Sequence, residues 1–90
     1  MVGDVSMTDR QPNPNDKLLV DAARLVIETQ FASAPMLQRK LHIWFARADL
    51  LLDELEGLGI VGPAQGTKAR RVLVPAAEVQ AAVDRIGGPE

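Results

Sequence analysis

The chain contains no cysteine, so disulfides and thiolate metal sites are excluded, in agreement with a reducing compartment. It also lacks a phosphate-cradling GxxxxGK[ST] run, and no His, Cys and carboxylate fall at a familiar metal-ligand or nucleophile spacing. The single imidazole, His42, has no carboxylate or thiol motif beside it, so it is assigned no chemistry and is expected at a turn or an interface. The acidic side chains are read as a solvated helix face, because an acid/base pair needs a pocket that so small a fold hardly provides. The expectation is a non-enzymatic protein with no cofactor and no bound metal. No apolar run approaches the ~20 residues that a membrane span requires. The first residues have neither the basic nor the apolar region of a signal peptide. A cytoplasmic protein that engages no membrane is therefore expected.

The 90 residues fit one small domain with one modest core, since roughly 60% of the chain surface is buried on folding at this scale. The net charge of −2 argues at first against a polyanionic partner, but its distribution is uneven. Residues 1–16 carry Asp4, Asp9 and Asp16 against Arg10, and residues 75–90 carry Glu78, Asp84 and Glu90 against Arg85. The stretch between them holds eight Lys or Arg against six Asp or Glu. The middle is therefore weakly basic and the acidic excess lies at the ends, a fainter footprint than the basic stripe of most DNA binders.

Residues 1–15 have no hydrophobic periodicity and include Pro12 and Pro14, so a flexible tail is expected there. A first helix is predicted from an Asp16 N-cap to Gln30, with Leu18, Leu19, Ala22, Leu25 and Val26 at helical spacing. Ser33 can cap a second helix reaching Leu41, with Pro35 in its first turn and Met36, Leu37 and Leu41 on its inner side. After a tight connection at His42 and Ile43, a third helix is predicted from Trp44 to Leu58, ended by Gly59. Its phase places Phe45, Ala48, Leu51, Leu52, Leu55 and Leu58 within about 80° of one direction, while Ala46, Leu50, Asp53 and Gly57 point away. Ile60–Val61 and Arg70–Val74 read as the strands of a hairpin around the turn formers of 62–67. Pro75 opens a fourth helix carrying Val79, Ala82, Val83 and Ile86, stopped by Gly87 and Gly88 and packed back on the rest. No internal repeat is present. The order predicts a mainly α fold with a small β-hairpin: a winged helix-turn-helix over 16–74 with an additional C-terminal helix over 75–87. Its core should contain Leu25, Leu37, Leu41, Phe45, Leu51, Leu52, Leu55 and Val72.

The run from Leu37-Gln38-Arg39 through Leu41 and Ile43 to Arg47-Ala48, followed by Gly59-Ile60-Val61-Gly62-Pro63 and Gly66-Thr67-Lys68, resembles the gamma domain at the C-terminus of the FtsK/SpoIIIE DNA translocases. The resemblance covers about residues 17–74. It implies a winged-helix reader of short oriented DNA sequences, without the motor, that binds double-stranded DNA and contacts a tyrosine recombinase. It also implies that bases are read from the outer face of the third helix by an asparagine, an arginine and an acid, at positions occupied here by Ala46, Leu50 and Asp53. Only the acid is kept in kind. An arginine can grip a guanine edge bidentately, whereas leucine offers apolar contact alone, so an altered preference is expected in place of the family's guanine-rich target.

Arg39 and Lys40, Arg47, and Lys68, Arg70 and Arg71 are the expected phosphate contacts on the second helix, the third helix and the wing. Arg71 replaces an acid of the family pattern. Trp44 replaces a glycine; at about −40° from the core direction in helical phase it is expected to pack, with stacking on nucleic acid as the alternative. Two functions stay open: DNA binding with altered preference, or a protein-interaction module, for a recombinase or translocase partner, that has lost base reading. Ala46 and Leu50 make an apolar row, and with Asp49, Asp53, Glu54 and Glu56 nearby that face could suit a protein.

Overall fold

The computed structural model describes residues 14–66 and 68–87; of the tail expected over 1–15, residues 1–13 lie outside them, as does Gly88, while Pro14 and Asn15 are helical and not part of a flexible tail. Helix α1 spans Pro14–Thr29 and so begins two residues before the expected Asp16 cap. Proline suits this start because its missing N–H lies where a helix has no intrahelical acceptor. Gln30 ends α1 in the left-handed region, with φ 56°. Its side-chain amide then donates to Ile27 O at 2.7 Å and to Val74 O at 2.9 Å, tying the helix end to a segment 44 residues away.

Helix α2, Ala34–Leu41, has Ser33 as its N-cap, with Oγ accepting from Met36 N at 3.3 Å. His42 closes it in the left-handed conformation (φ 57°, ψ 50°) with its N–H bound to Gln38 O. Helix α3, Phe45–Gly57, follows after three residues. Gly59, at φ 79°, stops it: Gly59 N donates to Glu56 O and Ile60 N to Leu55 O, at 3.0 and 2.9 Å. This is the paired-bond arrangement in which a left-handed glycine satisfies the last carbonyls of a helix. Pro75 then caps a 3₁₀ turn, Ala76–Glu78, that leads into α4, Val79–Gly87. α4 lies along α1, its most extensive partner, while α2 packs on α3. Among the described residues no helix is long and apolar enough to cross a membrane.

The expected hairpin over 60–74 is not formed as paired strands among the described residues. Instead, three isolated antiparallel bridges occur: Ala32 with Arg70, Val61 with Val72, and Gln65 with Lys68. Residues 70–72 are thereby laid between the 32 and 61 positions, held by Arg70 N to Ala32 O (2.9 Å), Gly62 N to Arg71 O (2.9 Å) and Leu73 N to Ile60 O (2.8 Å). Pro63, which has no N–H to give, directly follows Gly62 and interrupts the ladder after one bridge. Gly66, at φ 67°, sits in the turn closed by Lys68 N to Gln65 O, a conformation that favours glycine.

The core combines Ala22, Ala23, Val26 and Ile27 of α1 with Leu37, Ala48, Leu51, Leu52, Leu55, Ile60, Val61 and Ala82. Leu25, Leu41 and Val72 are half-buried, less than expected. Two expected core residues, Phe45 and Leu58, are exposed, at 53% and 45%. Phe45 is the first residue of α3 and Leu58 caps its end, where core phase alone does not bury a side chain. Trp44 departs further, at 83% exposed. It precedes the helix with an extended backbone (φ −73°, ψ 155°), so the phase from which packing is expected does not apply to it.

Arg70, expected to face phosphate, is turned inward instead: its side chain is only 6% exposed. Nη2 lies 2.8 Å from Asp53 and 3.7 Å from Asp49, and Nη1 lies 3.5 Å from Glu56. These acids are spaced i, i+4, i+7 and so form one stripe along α3. A planar guanidinium with several fixed donors can engage such a stripe, and here it fastens the bridged segment to α3.

Two predictions follow from this packing. Leu55→Ala should lower stability by about 2–5 kcal/mol and Phe45→Ala by under about 1 kcal/mol, measured by urea unfolding; similar losses would contradict the placement of Phe45. Arg70→Ala should cost about 1–3 kcal/mol, discounted because its partners are half exposed. Asp53→Asn should cost less in the same measurement, since Asp49 and Glu56 remain. An Arg70→Ala variant as stable as the parent would contradict the fastening role.

Candidate nucleic-acid interface

The connection between α2 and α3 is three residues long, His42–Trp44, short enough to hold the pair at a fixed angle as a helix-turn-helix unit. Buried Ala48, Leu51, Leu52 and Leu55 commit one face of α3 to the core. The opposite row, Ala46, Leu50 and Asp53, is exposed as expected, with Leu50 at 58%. A hollow of about 200 Å³ beside this row is lined by Arg47, Leu50, Leu51 and Glu54.

Asp53 belongs to two rows at once, the outward one and the acidic stripe. One of its oxygens accepts from Arg70, while its side chain remains 55% exposed, so it is both held and accessible. The bridged segment therefore runs along one flank of the outward row. Its turn comes beside the N-terminal half of α3, where Lys68 lines a cleft of about 340 Å³ together with Ser33, Pro35, Phe45, Asp49 and Arg70. Lys68 is exposed there, Arg71 is exposed further along the segment, Arg39 and Lys40 are exposed in the last turn of α2, and Arg47 is half-buried.

Of the cations singled out in the sequence, Arg39, Lys40, Lys68 and Arg71 thus stand at the surface, and Arg70 does not. Residue type alone could not separate Arg70 from Arg71. A usable signal was the acidic stripe, which requires a cation nearby if it is to lie against another segment. That partnering changes the electrostatics. The stripe of Asp49, Asp53 and Glu56 includes an internal guanidinium, so α3 presents less negative charge than its sequence implies. Among the described residues no group of His, Asp and Glu is arranged to hold a metal ion.

Residues 13–75 match the family described as the Ftsk gamma domain. Over 69 residues, 77% of the chain, it is 51% identical to the DNA translocase FtsK of Tropheryma whipplei, and over 71 residues, 79% of the chain, 52% identical to that of Streptomyces avermitilis. The DNA translocase FtsK of Mycobacterium leprae is 46% identical over 83 residues, 90% of the chain. The aligned part is only 9%, 8% and 10% of these three relatives respectively. With the profile spanning most of the chain and the helix-turn-helix at its centre, this protein belongs to the FtsK gamma-domain family.

Proposed function

We propose that the chain is a non-enzymatic, cytoplasmic module that binds duplex DNA, with α3 in the major groove and the end of α2 and the 60–74 segment, acting as a wing, along the phosphates. The observation that carries this reading is the exposed row on α3 of a helix-turn-helix unit, with Arg39, Lys40, Lys68 and Arg71 also at the surface. It is supported by the relatives being DNA translocases. The acids that seemed to disfavour a polyanion are partly engaged by Arg70. Phosphate contacts position such a domain and base contacts give it specificity. With Ala46 and Leu50 in the row, the bidentate grip on guanine is missing and apolar contact, for instance to a thymine methyl, takes its place. Asp53 keeps an oxygen for a cytosine amino group while Arg70 fixes its position. Arg47 can add a phosphate contact from the half-buried flank.

A second reading is favoured by one observation, the exposure of Leu50 beyond what a solvated helix face needs. In that reading the same face docks on a protein, a tyrosine recombinase or a translocase motor. The two readings differ in salt dependence. Anisotropy of a labelled random duplex should give binding that weakens steeply with salt, and Lys68→Ala with Arg71→Ala should flatten the logarithmic slope by about 1.8, at 0.9 per phosphate. No binding at low salt, or a slope indifferent to the double variant, would move the face to a protein partner.

Base preference is tested separately. The parent should scarcely prefer the family's guanine-rich site over a scrambled duplex, and Leu50→Arg with Ala46→Asn should add about 1–3 kcal/mol of discrimination. The measurement is a paired titration on both duplexes at one salt concentration. A parent that already discriminates by that margin would contradict the altered preference, and a variant that gains equally on both duplexes would mean the new arginine reaches phosphate alone.

A further inference from the structure

Tryptophan is highly buried on average, yet the only tryptophan of this chain, Trp44, is 83% exposed. Local structure does not use its side chain: it stands at the N-cap of α3 and makes no capping hydrogen bond. Although Ile43 beside it is half-buried, most of the surrounding run is exposed. Arg39, Lys40, His42, Trp44 and Phe45 lie at the surface within seven consecutive residues. No Asp or Glu occurs between Glu28 and Asp49, while that interval holds Arg39, Lys40 and Arg47. Along the sequence the charges flanking the indole are therefore positive until Asp49, which shares a cleft with Phe45, and this excess of positive charge favours an anionic partner over an apolar one.

We propose that Trp44 is a non-ionic contact to the DNA backbone, its ring packed on the deoxyribose wall of the groove and its Nε1–H donating to a phosphate oxygen. This rests on the DNA-binding reading above. Helix-turn-helix domains bring the N-terminal residues of their second helix to the groove, and Trp44 immediately precedes those residues in α3. Intact duplex keeps its base faces stacked, so an indole at the groove wall meets sugar edges and phosphates instead. The indole has one donor and no acceptor, which matches phosphate oxygen. Its apolar ring matches the deoxyribose carbons. Because tryptophan neutralises no phosphate, it adds affinity without adding to the counterion release that sets the salt slope.

The experiment uses the 90-residue chain and follows, in one titration with a labelled random duplex, both the anisotropy of the label and the protein's tryptophan emission. With a single tryptophan and no tyrosine, the emission reports on this position alone. We expect the emission to change with the same midpoint as the anisotropy. Trp44→Ala should weaken binding about tenfold, the size of one good aromatic contact, by the same factor at each salt concentration and with the slope unchanged. Trp44→Phe should recover part of the loss by restoring the ring without the donor. Thermal unfolding of both variants should match the parent, because the side chain is exposed. Anisotropy that rises while emission stays constant, or Trp44→Ala binding as tightly as the parent, would overturn the role of Trp44 and leave DNA binding standing. Anisotropy that does not rise at low salt would remove DNA binding, and this contact with it.

Discussion

A guanidinium with 6% of its side chain exposed, facing three carboxylates of one helix, is the interaction on which the functional geometry depends. Desolvating a charge is expensive unless partners replace the lost water, and Arg70 is supplied with acids on both terminal nitrogens. The backbone around it contributes little pairing: one bridge to Ala32, one between Val61 and Val72, and one across the turn at Gln65 and Lys68. Isolated bridges do not form a cooperative ladder, so the position of the 60–74 segment relative to α3 is set by the ion-pair network, by Ile60 and Val61 in the core, and by Gln30 holding Val74. In this small domain a buried polar contact does the work that a longer sheet would otherwise do.

The same contact shapes the surface. By holding Asp49, Asp53 and Glu56, Arg70 offsets part of the negative charge of α3, while Arg39, Lys40, Lys68 and Arg71 stand exposed. The row itself is mostly apolar, through Ala46 and Leu50, with Asp53 at its end. A face of this kind lacks the forked donors that distinguish guanine from other bases, while the exposed cations keep the charges that engage any phosphate backbone. In the proposed reading affinity and base reading fall to different residues, and both sets depart from the family pattern, at Ala46 and Leu50 for the bases and at Arg71 for the phosphates.

Much of this was legible in the sequence. Helical periodicity located α1, α2 and α3 to within a few residues, Ser33 and Gly59 marked boundaries through their capping chemistry, and the phase of α3 separated its buried face from the Ala46, Leu50, Asp53 row. Periodicity failed where helices end. Phe45 and Leu58 have a core phase but stay exposed, and Trp44 lies outside the helix whose phase was applied to it. The 60–74 segment was legible in part: its β-branched residues favour extended backbone and Val61 does pair antiparallel with Val72, but Pro63 interrupts the pairing, and propensity does not count hydrogen-bond donors. Arg70 was indistinguishable from Arg71 by type, because which of two adjacent arginines turns inward depends on a stripe of acids on another element.

Amide chemical shifts followed during titration with duplex DNA distinguish docking through the α2–α3 unit and the bridged segment from docking elsewhere. In the proposed mode, perturbations concentrate over residues 39–53 and 64–71, with α1 and the exposed positions of α4, such as Ala81 and Asp84, unaffected. Perturbations centred on α1 and α4, with residues 44–50 silent while DNA is bound, would contradict it.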